Sequence, residues 1–166
     1  MAKQKLPIVC IDFDGVIHGY SKGWQDGSIY DPPVPGCGAA ILRLMAKYRV
    51  AIHSSRSNSL RQRQAMRRYL AAIINRAVLD DKRSELTDAA WQTQVGKPAD
   101  WHPLTTGDLQ DQINELCGCI RWPWFKPPAL LTIDDRAVTF NGDWSAFTPD
   151  AVRAFRPWTA RSAHVG

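Results

Sequence analysis

The sequence predicts an open α/β fold, with a mostly parallel sheet flanked by helices. Three short apolar runs predict it, because each ends abruptly in polar or acidic residues, and helical periodicity fills the intervals between them. Residues 6–11 (LPIVCI) are the first run, residues 49–53 (RVAIH) the second and residues 129–133 (ALLTI) the third. A strand buried on both faces reads as a continuous apolar stretch rather than an alternating one. Right-handed crossovers through helices make such strands parallel. Functional groups in open α/β sheets collect at the carboxyl ends of the strands, where all three runs deliver polar side chains.

Between the first two runs, Pro35-Gly36 marks the start of a helix over residues 37–48, with Ala40, Leu42, Leu44 and Met45 supplying its apolar side. Residues 58–76 form the clearest helix, with Met66, Leu70, Ile73 and Ile74 on one stripe. Residues 108–116 suggest a third. Thr148-Pro149-Asp150 offers an N-cap, a proline at the first helical position and an acidic first turn. Asn141-Gly142, following the apolar residues 137–140, signals a tight turn. Residues 18–35 are rich in Gly, Pro, Tyr and Trp and read as a structured loop. Residues 77–125 mix short helical patterns with four tryptophans and yield no clear strand.

A chain of 166 residues fits one compact domain, 1–166, that buries a core without disulfides or metal staples. No stretch approaches the roughly 20 apolar residues that span a bilayer, and the N-terminus does not read as a signal peptide, so no membrane partner and a cytoplasmic location are expected. Cys10, Cys37, Cys117 and Cys119 lack the paired spacing of a zinc site and read as free thiols. The net charge of +5 suits an anionic partner without demanding one.

The most specific local signal is Asp12-Phe13-Asp14-Gly15 directly after the first strand. Two acids one residue apart at a buried strand end are too costly to leave unpaired in a core. Facing a shared cleft, they can bind a hard cation through oxygen and leave a carboxylate for nucleophilic attack. The alternative is a pair of loop carboxylates capping local backbone.

The full set of motifs resembles the haloacid dehalogenase (HAD) superfamily. IVCIDFDGVIH matches its opening strand and paired acids. VAIHSSRS places Ser54 and Arg56 where the family has its second motif. Lys126 in KPPALLTIDD stands for the third, and Asp134-Asp135 for the fourth. The motifs run in the family's order from residue 8 to residue 135. The closing TIDDRAVTF run is also similar to small HAD-like hydrolases encoded by phages and prophages.

The resemblance implies a Rossmann-like, HAD-like fold and a Mg²⁺-dependent phosphatase working through an aspartyl phosphate. Asp12 would be the nucleophile and Asp14 the general acid and base. Ser54, Ser55, Arg56 and Lys126 would bind the phosphoryl group. Asp12, the backbone carbonyl of Asp14, Asp134 and Asp135 would serve the metal, Asp135 alternatively orienting Lys126 or pairing with Arg136. Ser54 could instead cap a helix. Lys97 is a rival to Lys126, but it lies far from the last strand in sequence.

His18 and His53 have no His or Cys neighbours at ligand spacing, and His53, alternating with apolar residues along a strand, reads as a packed or partly buried histidine. Residues 16–35 leave room for a flap but not for a full cap domain, so the site should be open. Open sites suit bulky phosphorylated substrates, including nucleotides and nucleic-acid ends. The arginines at 56, 61, 63, 67, 68, 76 and 83, with Lys82, form either a phosphate-tracking face or a solvated helix surface. A phosphatase of a small phosphorylated metabolite and a non-catalytic binding protein are the alternatives. An intact set of Asp12, Asp14, Ser54, Lys126 and Asp134 speaks against the last.

Overall fold

The computed structural model describes residues 5–81, 85–96, 106–139, 143–145 and 147–158. Strands β1 (Ile8–Ile11), β2 (Arg49–Ile52) and β3 (Leu131–Ile133) form one parallel sheet in the order β2-β1-β3. The architecture is α/β with a small open parallel sheet, Rossmann-like in kind. All three expected strands are present, with β3 starting two residues later than its apolar run. Every residue of β1 is buried, as its central place requires. β3 is an edge strand among the described residues, and its first residue Leu131 is exposed together with the preceding Leu130.

Helix α1 (Cys37–Met45) follows Gly36, whose φ of 78° is a left-handed conformation that glycine adopts without strain. Ile41, Leu42 and Met45 are its inward face. A 3-10 turn (Ser55–Asn58) leaves β2 and leads through Ser59 into α2 (Leu60–Asp80); the Ser59 hydroxyl accepts from the Gln62 N–H, capping the helix. Along α2 the buried stripe is Arg63, Met66, Leu70, Ile74 and Val78, at helical spacing. α1 and α2 pack closely: a β-carbon on Gly38 would lie 2.9 Å from the Ala77 β-carbon.

The unassigned stretch 77–125 contains α3 (Glu85–Gln94) and α4 (Thr106–Gly118). It also supplies the sheet extension that the sequence did not reveal. The Arg121 N–H donates to the Val50 carbonyl and the Ile52 N–H to the Arg121 carbonyl, a parallel bridge on the outer side of β2. Ile113 and Leu116 of α4 join Met66, Leu70 and Ile74 of α2 in a core shared with β1, β2, α1 and Trp91 of α3. The last helix, α5 (Pro149–Ala154), has the expected cap, with the Thr148 hydroxyl accepting from the Ala151 N–H at 3.2 Å, and buries no residue. The expected turn at Asn141-Gly142 and the end of the apolar run at Phe140 lie outside the described residues, as do Lys82, Arg83 and Lys97.

The chain leaves β1 to reach β2 on one side and later returns to β3 on the other. That reversal opens a crevice at the carboxyl end of β1, the position where open α/β sheets bind ligands. No helix of the described residues is long and apolar enough to cross a membrane.

Candidate functional site

The sheet ladder continues past the strands and fixes the residues that follow them. The Asp12 N–H donates to the Ile133 carbonyl at 2.9 Å, and the His53 N–H donates to the Ile11 carbonyl at 3.1 Å. Asp12, Ser54 and Asp134 are thereby set side by side at the three strand ends. They line one cleft of about 420 Å³ together with Cys10, Asp14, Tyr20, His53, Ser55, Lys126, Thr132 and Arg136. Of the expected site residues, Asp12, Asp14, Ser54, Ser55, Lys126 and Asp134 line this cleft, and Asp135 and Arg56 sit behind it.

Asp12, Asp134 and Asp135 each offer a carboxylate oxygen, and these atoms lie within 4.8 Å of one another. Burial raises Asp12 from the ordinary 3.8 to about 6, and the charges of Asp134 and Asp14 push the same way; the Phe13 N–H and the Ser54 side chain pull against them. Asp135 is also raised, first by burial, and the side chain of Asp135 is 1% exposed. Neither of its oxygens has a hydrogen-bond donor among the described residues, and Arg136 Nε stands 3.6 Å away. Buried carboxylate oxygens without donors are expensive to maintain. A cation bound by oxygen ligands would satisfy all three acids, so the donor set fits a hard divalent metal such as Mg²⁺.

Gly15 makes this approach possible. Its φ is 81°, and a β-carbon there would lie 2.4 Å from Asp135 Oδ2. The Gly15 carbonyl accepts a 2.6 Å hydrogen bond from Trp158 Nε1, so the C-terminal segment returns to the loop between the two acids and His18.

Asp14 is compensated differently. It is 6% exposed, and each of its oxygens accepts one strong bond: Oδ1 from His18 Nδ1 at 2.8 Å and Oδ2 from Arg56 Nε at 2.7 Å. Its side chain is not in the metal-capable group, which leaves only its backbone carbonyl for the metal contact the resemblance implies. Arg56 is 1% exposed and also donates to the Gly27 and Ser28 carbonyls. The guanidinium expected to grip phosphate is therefore turned inward, onto Asp14 and the 19–33 loop.

Arg63, read from the sequence as part of either a phosphate-tracking face or a solvated helix surface, is instead internal. It donates to the Ser57, Trp122 and Pro123 carbonyls, and its guanidinium lies 4.0 Å from the Trp124 ring centroid. No α2 residue lines the cleft. The cations that do are Lys126, as expected, and Arg136, which the sequence offered only as a partner for Asp135. Arg136 rests over the Tyr20 ring at 5.7 Å. Tyr20 is the other residue missed; its φ of 57° makes it the one non-glycine with positive φ among the described residues, a strain that is often found at sites.

Ser54 is 4% exposed. Its backbone closes the 3-10 turn, with the Ser57 N–H donating to the Ser54 carbonyl and the Ser54 N–H donating to the Ser57 hydroxyl, while its side chain faces Asp12. His18 is fully buried and His53 partly so. All four cysteines are free thiols.

No protein-family model, curated protein or solved structure matches the chain.

Proposed function

We propose that this chain is a Mg²⁺-dependent phosphomonoesterase of the HAD type, working through an aspartyl phosphate on Asp12. The observation that carries the reading is the acidic group Asp12–Asp134–Asp135 at the strand ends, in which both Asp135 oxygens lack a hydrogen-bond donor among the described residues, beside the cleft that Ser54 and Lys126 line. Asp12, Asp134 and Asp135 would hold the cation. When bound, it would lower the repulsion between the acids and an incoming phosphate and draw charge from the phosphoryl oxygens.

The chain's own residues supply the remaining chemistry. An Asp12 oxygen attacks phosphorus while the bond to the leaving oxygen breaks, and Asp14 delivers a proton to that oxygen. Water then attacks the phosphorus of the aspartyl phosphate, Asp14 takes the proton back, and phosphate leaves with Asp12 restored. Each Asp14 oxygen accepts one bond in the structure and keeps a second lone pair for this exchange. The Ser54 hydroxyl donates to a phosphoryl oxygen, and the Lys126 ammonium offsets charge on both the nucleophile and the transferred group. Arg136 adds a second cation on the cleft wall.

The favoured substrates are nucleotides and nucleic-acid ends. Phe125 is exposed and directly precedes Lys126 in sequence, offering a flat face for a base. A small phosphorylated metabolite is the second reading, favoured by the inward turn of Arg63 away from any polynucleotide.

A panel of phosphate monoesters, mononucleotides and 5′- or 3′-phosphorylated oligonucleotides assayed with Mg²⁺ tests both. Turnover should appear, and Asp12→Asn should abolish it without loss of fold. Activity of that variant within about tenfold of the parent, roughly 1.4 kcal/mol of barrier, would remove Asp12 as nucleophile.

A further inference from the structure

Asp14 is held by two side chains that share one anchor. Arg56, bound to Oδ2, also donates to the Gly27 and Ser28 carbonyls. His18, bound to Oδ1, accepts at Nε2 from the Tyr30 N–H at 3.2 Å and the Asp31 N–H at 3.0 Å. Residues 27–31 of the loop therefore fix both donors to one carboxylate. Because Nε2 accepts from two N–H groups, the imidazole is neutral and carries its proton on Nδ1, where it is donated to Asp14. The ring cannot turn to another arrangement. It is fully buried, with Phe13, Tyr20, Tyr30 and Tyr69 rings at 5.0–6.0 Å. The His18 backbone is locked as well: its carbonyl accepts from the Gly15 N–H, and it bridges to Pro33.

We propose that His18 is a positioning residue for Asp14, coupling the seating of the 19–33 loop to proton transfer at the leaving group. The inference rests on the reading of Asp14 as the acid–base residue. Its physical content is that the loop backbone selects the His18 tautomer, and the tautomer makes the ring a donor to Asp14. A ring with its proton on Nε2 would oppose both loop N–H groups and present a lone pair to a carboxylate. An unseated loop would release His18 and Arg56 together, leaving Asp14 without a fixed direction.

The two halves of this device separate in two substitutions. An asparagine amide nitrogen occupies the place of Nδ1, so His18→Asn keeps the donor to Asp14 and loses the acceptor for the loop. A glutamine amide oxygen reaches the place of Nε2, so His18→Gln keeps the loop acceptor and loses the donor. Both are compared with the parent and Asp14→Asn, using Mg²⁺ with p-nitrophenyl phosphate, whose leaving group needs no proton, and with an alkyl phosphate, whose leaving group does. Amide exchange at Tyr30 and Asp31 reports the loop.

His18→Gln should retain slow exchange at Tyr30 and Asp31 yet lose about tenfold in kcat on the alkyl phosphate, part of the roughly 10²–10⁴ that a positioned acid–base group supplies. Its kcat on p-nitrophenyl phosphate should stay within about twofold of the parent, since that step does not draw on the acid. His18→Asn should show fast exchange at both amides and a loss on the alkyl phosphate smaller than that of His18→Gln, because it keeps the donor to Asp14 while the freed loop no longer anchors Arg56. Equal losses on both substrates in His18→Gln, or undiminished alkyl phosphate turnover, would overturn the proposal. If Asp14→Asn itself fails to discriminate between the leaving groups, it is the acid–base reading that falls. Should the variants not fold, the parent protein still decides: nitrogen NMR of His18 must show the proton on Nδ1, and a proton on Nε2 refutes the coupling.

Discussion

Cation binding should depend on pH in a way set by Asp12. Its carboxyl is raised from 3.8 to about 6, chiefly by burial, in the absence of any cation. Ionising it in the folded protein costs about 3 kcal/mol more than in the unfolded chain, taking about 1.4 kcal/mol per unit. A raised carboxyl binds its proton more tightly when folded, so its contribution to stability is complete below pH 3.8 and lost as pH rises through about 6. The cation-free protein should therefore lose up to about 3 kcal/mol from this group between pH 4 and pH 7. On the proposed function, Mg²⁺ would bind the ionised form and would have to displace the proton. Below pH 6 its apparent affinity should fall about tenfold per unit, and more steeply where Asp135, also raised by burial, joins in. Above pH 7 affinity should be flat. Calorimetric titration with MgCl₂ in buffers of different ionisation enthalpy counts the protons released, and thermal unfolding with and without Mg²⁺ reads the stabilisation. Equal affinity at pH 5 and pH 7.5, or no proton release at pH 5.5, would refute the assignment of Asp12 to the cation group.

Gly15→Ala should disturb the same group from behind. A left-handed alanine costs about 1–2 kcal/mol, and its β-carbon would meet the Asp135 carboxylate; a lower Tm with Mg²⁺ affinity weakened at least tenfold is expected, and unchanged Mg²⁺ binding would show that Asp135 is not a ligand. Arg63→Ala should destabilise by about 2–4 kcal/mol by orphaning backbone carbonyls at Ser57, Trp122 and Pro123, whereas the exposed Arg68→Ala should stay within about 0.5 kcal/mol. Denaturant unfolding distinguishes them, and equal stabilities would return Arg63 to the surface.

The strands were legible because buried parallel strands leave continuous apolar runs, and IVCI, VAI and LTI do so with polar residues at their ends. The acids following β1 and β3 were legible for the same reason, since the sheet ladder leaves Asp12 and Asp134 nowhere to go but the shared edge. The facing of arginines was not, because composition counts charges without directions. Arg63 did carry a signal: it falls on the same stripe as Met66, Leu70, Ile74 and Val78, three residues before the first of them. A cation on an apolar stripe must find carbonyls or acids inside, and Arg63 finds three carbonyls. Arg56 carried no local signal, since its partners Asp14, Gly27 and Ser28 lie 42, 29 and 28 residues away. Arg121 escaped because a single bridge has no period to detect.

Four carboxylates meet around the end of β1, and the fold treats them unequally. Asp14 receives a guanidinium and an imidazole N–H, both held by the same loop. Asp12, Asp134 and Asp135 share only Lys126 and Arg136 on the cleft wall, and both of these are exposed, where solvent screens them. Had Arg56 pointed into the cleft, Asp14 would have lost its ionic partner, and the three outer acids would have gained a fixed one. The protein does the reverse, leaving its most acidic corner short of positive charge. An incoming phosphate monoester would add further negative charge to that corner and be repelled. A dication held by the three acids removes this objection, and no rearrangement of the described side chains does so as simply.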